Sequence, residues 1–201
     1  LGEEREMEKK RLTKNDFLEV LKGNPIISAV REEERLSQAL QSKSKVLFLL
    51  KTNVLTLPNL VQEIKSHGKL VFIHLDLLEG LAQDKYALRY LGDVVGIDGI
   101  ITTRTNLIQQ AKAEELLAVQ RFFVLDSSAL ATGVRIMQTA EPDLVEILPG
   151  IIFIHLGEEL KAQIPYPLIA GGLIRTPEEA KDILKAGATA ISTTSVGLWN
   201  F

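Results

Sequence analysis

Two glycines and a run of hydroxyl residues near the C-terminus carry the clearest chemistry in this sequence. Gly171 and Gly172 follow a short apolar segment, 167–170, and Thr193, Thr194 and Ser195 follow a second one that begins at Ala190. Glycine lets main-chain N–H groups approach a ligand with no Cβ in the way, and hydroxyls add donors beside them. Small residues, amides and hydroxyls at the ends of two adjacent parallel strands suit a phosphate, and the loops after strands seven and eight are the common phosphate site of a (β/α)8 barrel. A tight turn next to a polar strand end with no ligand is the alternative. Between the two segments, Thr176, Pro177 and Glu179 have the spacing of N-cap, N1 and N3 in a capping box, and Gly187 is placed to end that helix.

Further polar residues fall at the ends of other apolar runs: Lys51, Asp76 with Glu79, Thr102 with Thr103 and Arg104, Asp126 with two serines, and Glu146. In a barrel these form a ring at the mouth, where function sits. Carboxylates such as Asp76, Asp126 and Glu146 accept hydrogen bonds from hydroxyls and so suit the polyol end of a phosphorylated ligand. Asp126 serves equally well as the start of a helix. Lys51 reads as a phosphate contact or a solvated strand end; a Schiff-base amine requires burial, which sequence does not reveal. Glu146 lies between Val145 and Ile147. A buried acid needs a partner, so it is expected to face the mouth or to meet Lys51 or Arg104. His74 shares a face with Asp76 by alternation and reads as a satisfied core histidine. No nucleophile, base and orienting group stand together, so no catalytic residue is predicted. The three histidines lack zinc-type spacing, and neither a metal nor a cofactor is expected. Arg104, Lys112, Arg121, Lys161, Arg175, Lys181 and Lys185 are dispersed among acids and read as solvated faces.

These residues need a scaffold, and the hydrophobic pattern supplies one. Eight short apolar segments, at 25–30, 45–51, 69–76, 97–102, 121–126, 144–148, 167–170 and from 190, alternate with helical patterns, one of them running through 107–117. Near-continuous apolar strands separated by helices indicate parallel strands buried on both faces. The predicted class is α/β, a small (β/α)8 TIM-type barrel over residues 13–201 with a truncated last helix; residues 1–12 read as a charged arm. After Ser195 the chain has room for one turn, with Leu198, Trp199 and Phe201 expected to pack back on the barrel. A helix capped by Thr13 is expected to cover the resulting gap or close the barrel bottom, with a contact between subunits, and so a homo-oligomer, as the competing explanation. Residues 96–103 and 187–194 match at Gly, Ile and two Thr, a short echo half a barrel apart.

Composition sets the outer bounds. The chain has 201 residues, 46% hydrophobic, with no cysteine and a formal net charge of −3. One domain with a full core is expected, without disulfides. No apolar run approaches the ~18 residues of a membrane span; a cytoplasmic protein with no membrane partner is the expectation. Nothing in the overall charge resembles a nucleic-acid footprint.

Six ordered segments, HLDLLEGL (74–81), IDGIITTR (97–104), FFVLDS (122–127), VEILPG (145–150), IAGGLI (169–174) and GATAISTTSVGLW (187–199), together resemble the glycerol-3-phosphate-responsive antiterminator family, the glycerol uptake operon antiterminator regulatory proteins. The resemblance runs from about residue 24 to 199. It implies a regulator and not an enzyme. Such a protein responds to glycerol 3-phosphate and acts on the leader mRNA of glycerol-utilisation genes so that transcription passes a terminator. By carry-over, Gly171, Gly172, Thr194 and Ser195 would hold the phosphate. A phosphate-substrate barrel enzyme and a sensor acting only through a protein partner are the other readings.

Overall fold

The computed structural model describes residues 11–201; the charged arm expected at 1–12 falls, up to residue 10, outside the described residues. Eight strands close into a parallel barrel: β1 (Ile26–Val30), β2 (Val46–Leu49), β4 (Leu70–His74), β6 (Gly99–Thr102), β7 (Leu117–Phe123), β8 (Leu144–Leu148), β9 (Leu168–Gly171) and β10 (Ala190–Thr193). The ring runs β1, β10, β9, β8, β7, β6, β4, β2 and closes by pairing β2 with β1. Two further strands, β3 (Thr52–Asn53) and β5 (Leu78–Glu79), pair as a small lip beyond the ends of β2 and β4. Seven helices cross between barrel strands: α2 (Leu36–Gln41), α3 (Leu57–Ser66), α4 (Lys85–Tyr90), α5 (Thr105–Ala113), α6 (Ser127–Ala140), α7 (Phe153–Gln163) and α8 (Pro177–Lys185).

Alternation along the strands divides the apolar residues into two cores. Val71 and Ile73 of β4 pack outward against the helices, whereas Phe72 joins Ile27, Phe48, Ile101, Val119 and Ile169 inside the barrel. By the same alternation the inward positions just above this apolar layer are His74 on β4, Arg121 on β7, Glu146 on β8 and Ser192 on β10. The interior is therefore oil below and polar above.

The helix α1 (Lys14–Gly23) closes the barrel bottom, one of the two placements its sequence allowed. Thr13 caps it by accepting from the Asp16 N–H, and Phe17 and Leu21 insert fully buried into the interior core, Phe17 with its ring 4.8 Å from that of Phe72. Burying each of these side chains contributes about 1.5–3 kcal/mol. After β10 the chain makes a single turn, Val196–Leu198. Leu198 and Trp199 are buried as expected, but Phe201 remains 43% exposed; the turn ends too soon to fold it back.

One boundary differs in a way that matters. The helical pattern through 107–117 stops at Ala113, where Glu115 adopts φ +58°, and the next strand starts at Leu117 rather than at Arg121. The apolar run 116–119 satisfies either period, so periodicity could not place the break. The shift moves Arg121 from the start of a strand to its mouth end.

Candidate functional site

A cavity of about 330 Å³ opens at the mouth, over the ends of β1, β8, β9 and β10. Its walls include Gly172, Thr193, Thr194, Ser195 and Glu146, and the apolar side chains of Leu50, Leu148 and Ile174. Three arginines, Arg31, Arg121 and Arg175, also line it, against the single carboxylate of Glu146. The imbalance gives the cavity a positive field inside low-dielectric walls.

The two C-terminal loops are built to stand together. Leu168–Gly171 and Ala190–Thr193 are neighbouring strands, with Ser192 opposite Gly171. Gly172 turns the chain at φ +80°, a conformation in which any side chain is strained. Thr176 and Glu179 form the expected capping box of α8, and Glu179 Oε2 also accepts from the Arg175 N–H at 2.7 Å. These main-chain hydrogen bonds hold the Glu179 carboxyl below its ordinary range against the opposing effect of burial. They also fix the peptide that carries Arg175 at the cavity wall. The Thr193 hydroxyl donates to the Ile174 carbonyl at 3.2 Å and accepts from the Ser195 N–H at 3.1 Å. It thus ties the two loops together. Trp199 Nε1 donates to the Thr193 carbonyl at 2.8 Å, and Arg35 donates to that of Thr194 at 3.3 Å.

Glu146 is 1% exposed, and its Oε2 accepts from Arg121 Nε at 2.7 Å. Its partner is therefore Arg121, not Lys51 or Arg104, and the reading of Arg121 as a solvated face is corrected: that side chain is 10% exposed. Gly171 makes room for the carboxylate, since a Cβ there would stand 2.6 Å from Glu146 Oε1.

The remaining sequence-nominated residues lie elsewhere on the rim. Lys51, Asp76 and Glu79 line a second groove, of about 420 Å³, that shares Arg31 and Leu50 with the mouth cavity. Lys51 and Glu79 are 3.7 Å apart and largely exposed, a pairing of little energetic weight. Asp76 fastens the far rim: it accepts from Thr102 Oγ1 at 2.7 Å and from the Thr103 N–H and hydroxyl at 2.8 and 2.9 Å, with Arg104 3.7 Å away. Burial pushes the Asp76 carboxyl up, but those hydrogen bonds outweigh it and hold the group below its ordinary value. Asp126 caps α6, accepting from the Ala129 N–H at 2.7 Å, and does not line the mouth cavity. His74 was expected to be satisfied; instead Nδ1 has no hydrogen-bond partner beyond its own main chain.

Arg31, Arg121, Arg175 and Ser192 were not nominated from sequence. Arg31 carries a signal that was there to be read, since it directly follows the first apolar strand. Arg175 sits one residue ahead of a recognisable N-cap. Among the described residues no group of acids and histidines forms a metal site, and no helix is long and apolar enough to cross a membrane.

Comparison with known proteins gives a consistent picture. The model of the family described as "Glycerol-3-phosphate responsive antiterminator" matches residues 26–199. The chain is 37% identical over 183 residues to the Escherichia coli (strain K12) protein YgcP, described as uncharacterised, covering 91% of this chain and 95% of that one. The crystal structure of the glycerol uptake operon antiterminator regulatory protein of Listeria monocytogenes str. 4b F2365 superposes with a TM-score of 0.82 at 38% identity, over 88% of this chain and 95% of that one. That of a glycerol uptake operon antiterminator-related protein of Thermotoga maritima MSB8 superposes with a TM-score of 0.77 at 36% identity, over 87% and 96%.

Proposed function

This chain belongs to the glycerol-3-phosphate responsive antiterminator family, and from that premise we propose that it is a ligand-gated regulator whose effector, glycerol 3-phosphate, binds in the mouth cavity and promotes engagement of the leader mRNA of glycerol-utilisation genes in the cytoplasm. The phosphate sits against Gly172, Thr194 and Ser195, with Arg31 and Arg175 as its cationic partners. The observation that carries this reading is the charge of the cavity, three guanidiniums to one carboxylate beside hydroxyl-bearing strand ends. A phosphate monoester near neutral pH, with about −1.5 to −2 charge, offsets the excess. Arginine forks match phosphate oxygens in pairs.

Gating requires that the ligand bind the RNA-competent state more tightly than the other state. The test measures glycerol 3-phosphate binding by calorimetry and leader-RNA binding with and without ligand across salt concentrations. Arg31→Ala and Arg175→Ala are each expected to weaken ligand binding about tenfold or more, as expected for losing a charge-assisted pair. RNA binding that ignores ligand at every salt concentration overturns the gating. Ligand binding unchanged in both variants overturns the site.

A further inference from the structure

We propose that the inward layer of His74, Arg121 and Glu146, beneath the phosphate position, is a hydroxyl-recognition floor that orients the effector and separates a phosphorylated polyol from bare phosphate. The inference rests on the phosphate reading above and adds to it the other end of the ligand.

These three residues are the inward positions of β4, β7 and β8 two residues beyond the apolar interior of Phe72, Val119 and Leu144. Arg121 and Glu146 line the cavity, together with Ser192 from β10; His74 is not among the lining residues but feels the Arg121 charge, so it is the deepest of the three. A hydroxyl-bearing carbon chain that enters below a phosphate held at the loops after β9 and β10 reaches this layer first. The groups there have unused capacity. Glu146 spends Oε2 on Arg121, while Oε1 lies beside Gly171 and makes no hydrogen bond among the described residues. Its free oxygen accepts from a hydroxyl. Arg121 has donors beyond the Nε already engaged. His74 is 5% exposed, and among the described residues its Nδ1 has no partner beyond its own main chain. Leaving such an atom unpaired is unfavourable in an apolar core, and a ligand hydroxyl supplies the missing partner. Burial, reinforced by the nearby Arg121 charge, brings the imidazole down to about 4. It therefore stays neutral near pH 7 and offers one donor and one acceptor, as a hydroxyl does. Gly171 belongs to the same device, since any side chain at that position would take the space of the Glu146 carboxylate.

The experiment compares glycerol 3-phosphate with inorganic phosphate as calorimetric titrants of the full chain. Wild type is expected to prefer glycerol 3-phosphate. His74→Leu should lose roughly 5- to 10-fold of that preference, the size of one hydrogen bond, while its inorganic phosphate affinity stays unchanged. His74→Asn, which keeps an amide near the Nδ1 position, should retain most of the preference, and circular dichroism checks that both variants fold. Should His74→Leu fail to fold, Glu146→Gln is read by the ratio of the two affinities alone: losing the carboxylate raises the affinity for both anions, while the weaker hydroxyl acceptor should lower the preference for glycerol 3-phosphate. An unchanged preference in the folded variants, or equal losses for both titrants, overturns the floor. Failure of either titrant to bind wild type removes the phosphate reading itself, a distinguishable result.

Discussion

Replacing Glu146 by leucine should destabilise the protein more than replacing Arg121 by methionine, although each change breaks the same ion pair. The pair is short, 2.7 Å, with side chains 10% and 1% exposed. Removing one member of a buried pair costs about 3–5 kcal/mol, because the other charge is left uncompensated. The two losses differ in what remains. Without Arg121, Glu146 still shares its cavity with Arg31 and Arg175. Without Glu146, three guanidiniums line one cavity with no carboxylate among them. Glu146→Leu therefore takes the upper end, about 4–5 kcal/mol, and Arg121→Met falls to roughly 2–3 kcal/mol, since two cations remain to solvate the carboxylate. For a chain of this size each kcal/mol moves Tm by about 2–4 °C, so thermal midpoints should separate the two variants by several degrees. The double variant, apolar at both positions, should lie within about 1 kcal/mol of wild type. Urea unfolding followed by circular dichroism at neutral pH supplies the free energies. Millimolar phosphate should restore more stability to Glu146→Leu than to wild type, by mass action on the more positive cavity. Equal losses in the single variants, or a double variant as unstable as the worse single one, would refute the charge arithmetic on which the site rests.

The His74 imidazole is drawn down from 6.5 to about 4, first by burial and then by Arg121, with Asp76 opposing. The unfolded chain takes up this proton at a higher pH than the folded chain does, so stability is full above that ordinary value and falls by about 2 kcal/mol between neutral pH and pH 5. Urea unfolding of His74→Leu should show that part of the acid slope removed; a slope identical to wild type would count against it. Gly171→Ala places a Cβ 2.6 Å from Glu146 Oε1 and should cost about 1–3 kcal/mol by overpacking. The cost should shrink in a Glu146→Ala background, and a purely additive double variant in thermal melts would show that the carboxylate is not what the glycine accommodates.

Much of the barrel was legible because parallel strands buried on both faces leave an apolar run that little else imitates. The short echo between 96–103 and 187–194 was also informative. Its strands, β6 and β10, lie opposite each other in the ring, and the matched Thr102 and Thr193 do the same job. Each hydroxyl accepts from the N–H two residues on, at 3.1 Å in both cases. The convergence of Gly172 with Thr193–Ser195 on one cavity followed from strand order alone. Side-chain partners, outside the helix caps, did not. Whether Arg121 is solvated or buried against Glu146 depends on a helix end set by one left-handed residue, Glu115. Whether Asp126 faces a ligand or its own helix depends on a single rotamer, and here it caps.

That outcome separates the polar residues of the mouth into two kinds. Asp76, Thr102, Thr193 and Asp126 have hydrogen bonds within the protein: the first three fasten one strand end or loop to the next, and Asp126 caps its own helix. Their residue types match a ligand site because fastening a loop and holding a ligand call for the same donors and acceptors. Arg31 and Arg175 line the cavity without an ion pair among the described residues. Both are exposed, so neither is costly to the fold, and neither is held by a partner that a ligand would have to displace. The groups with nothing to fasten are therefore the strongest candidates for ligand contact, and at this mouth they are Arg175, which the sequence pattern placed on a solvated face, and Arg31, which that pattern did not single out.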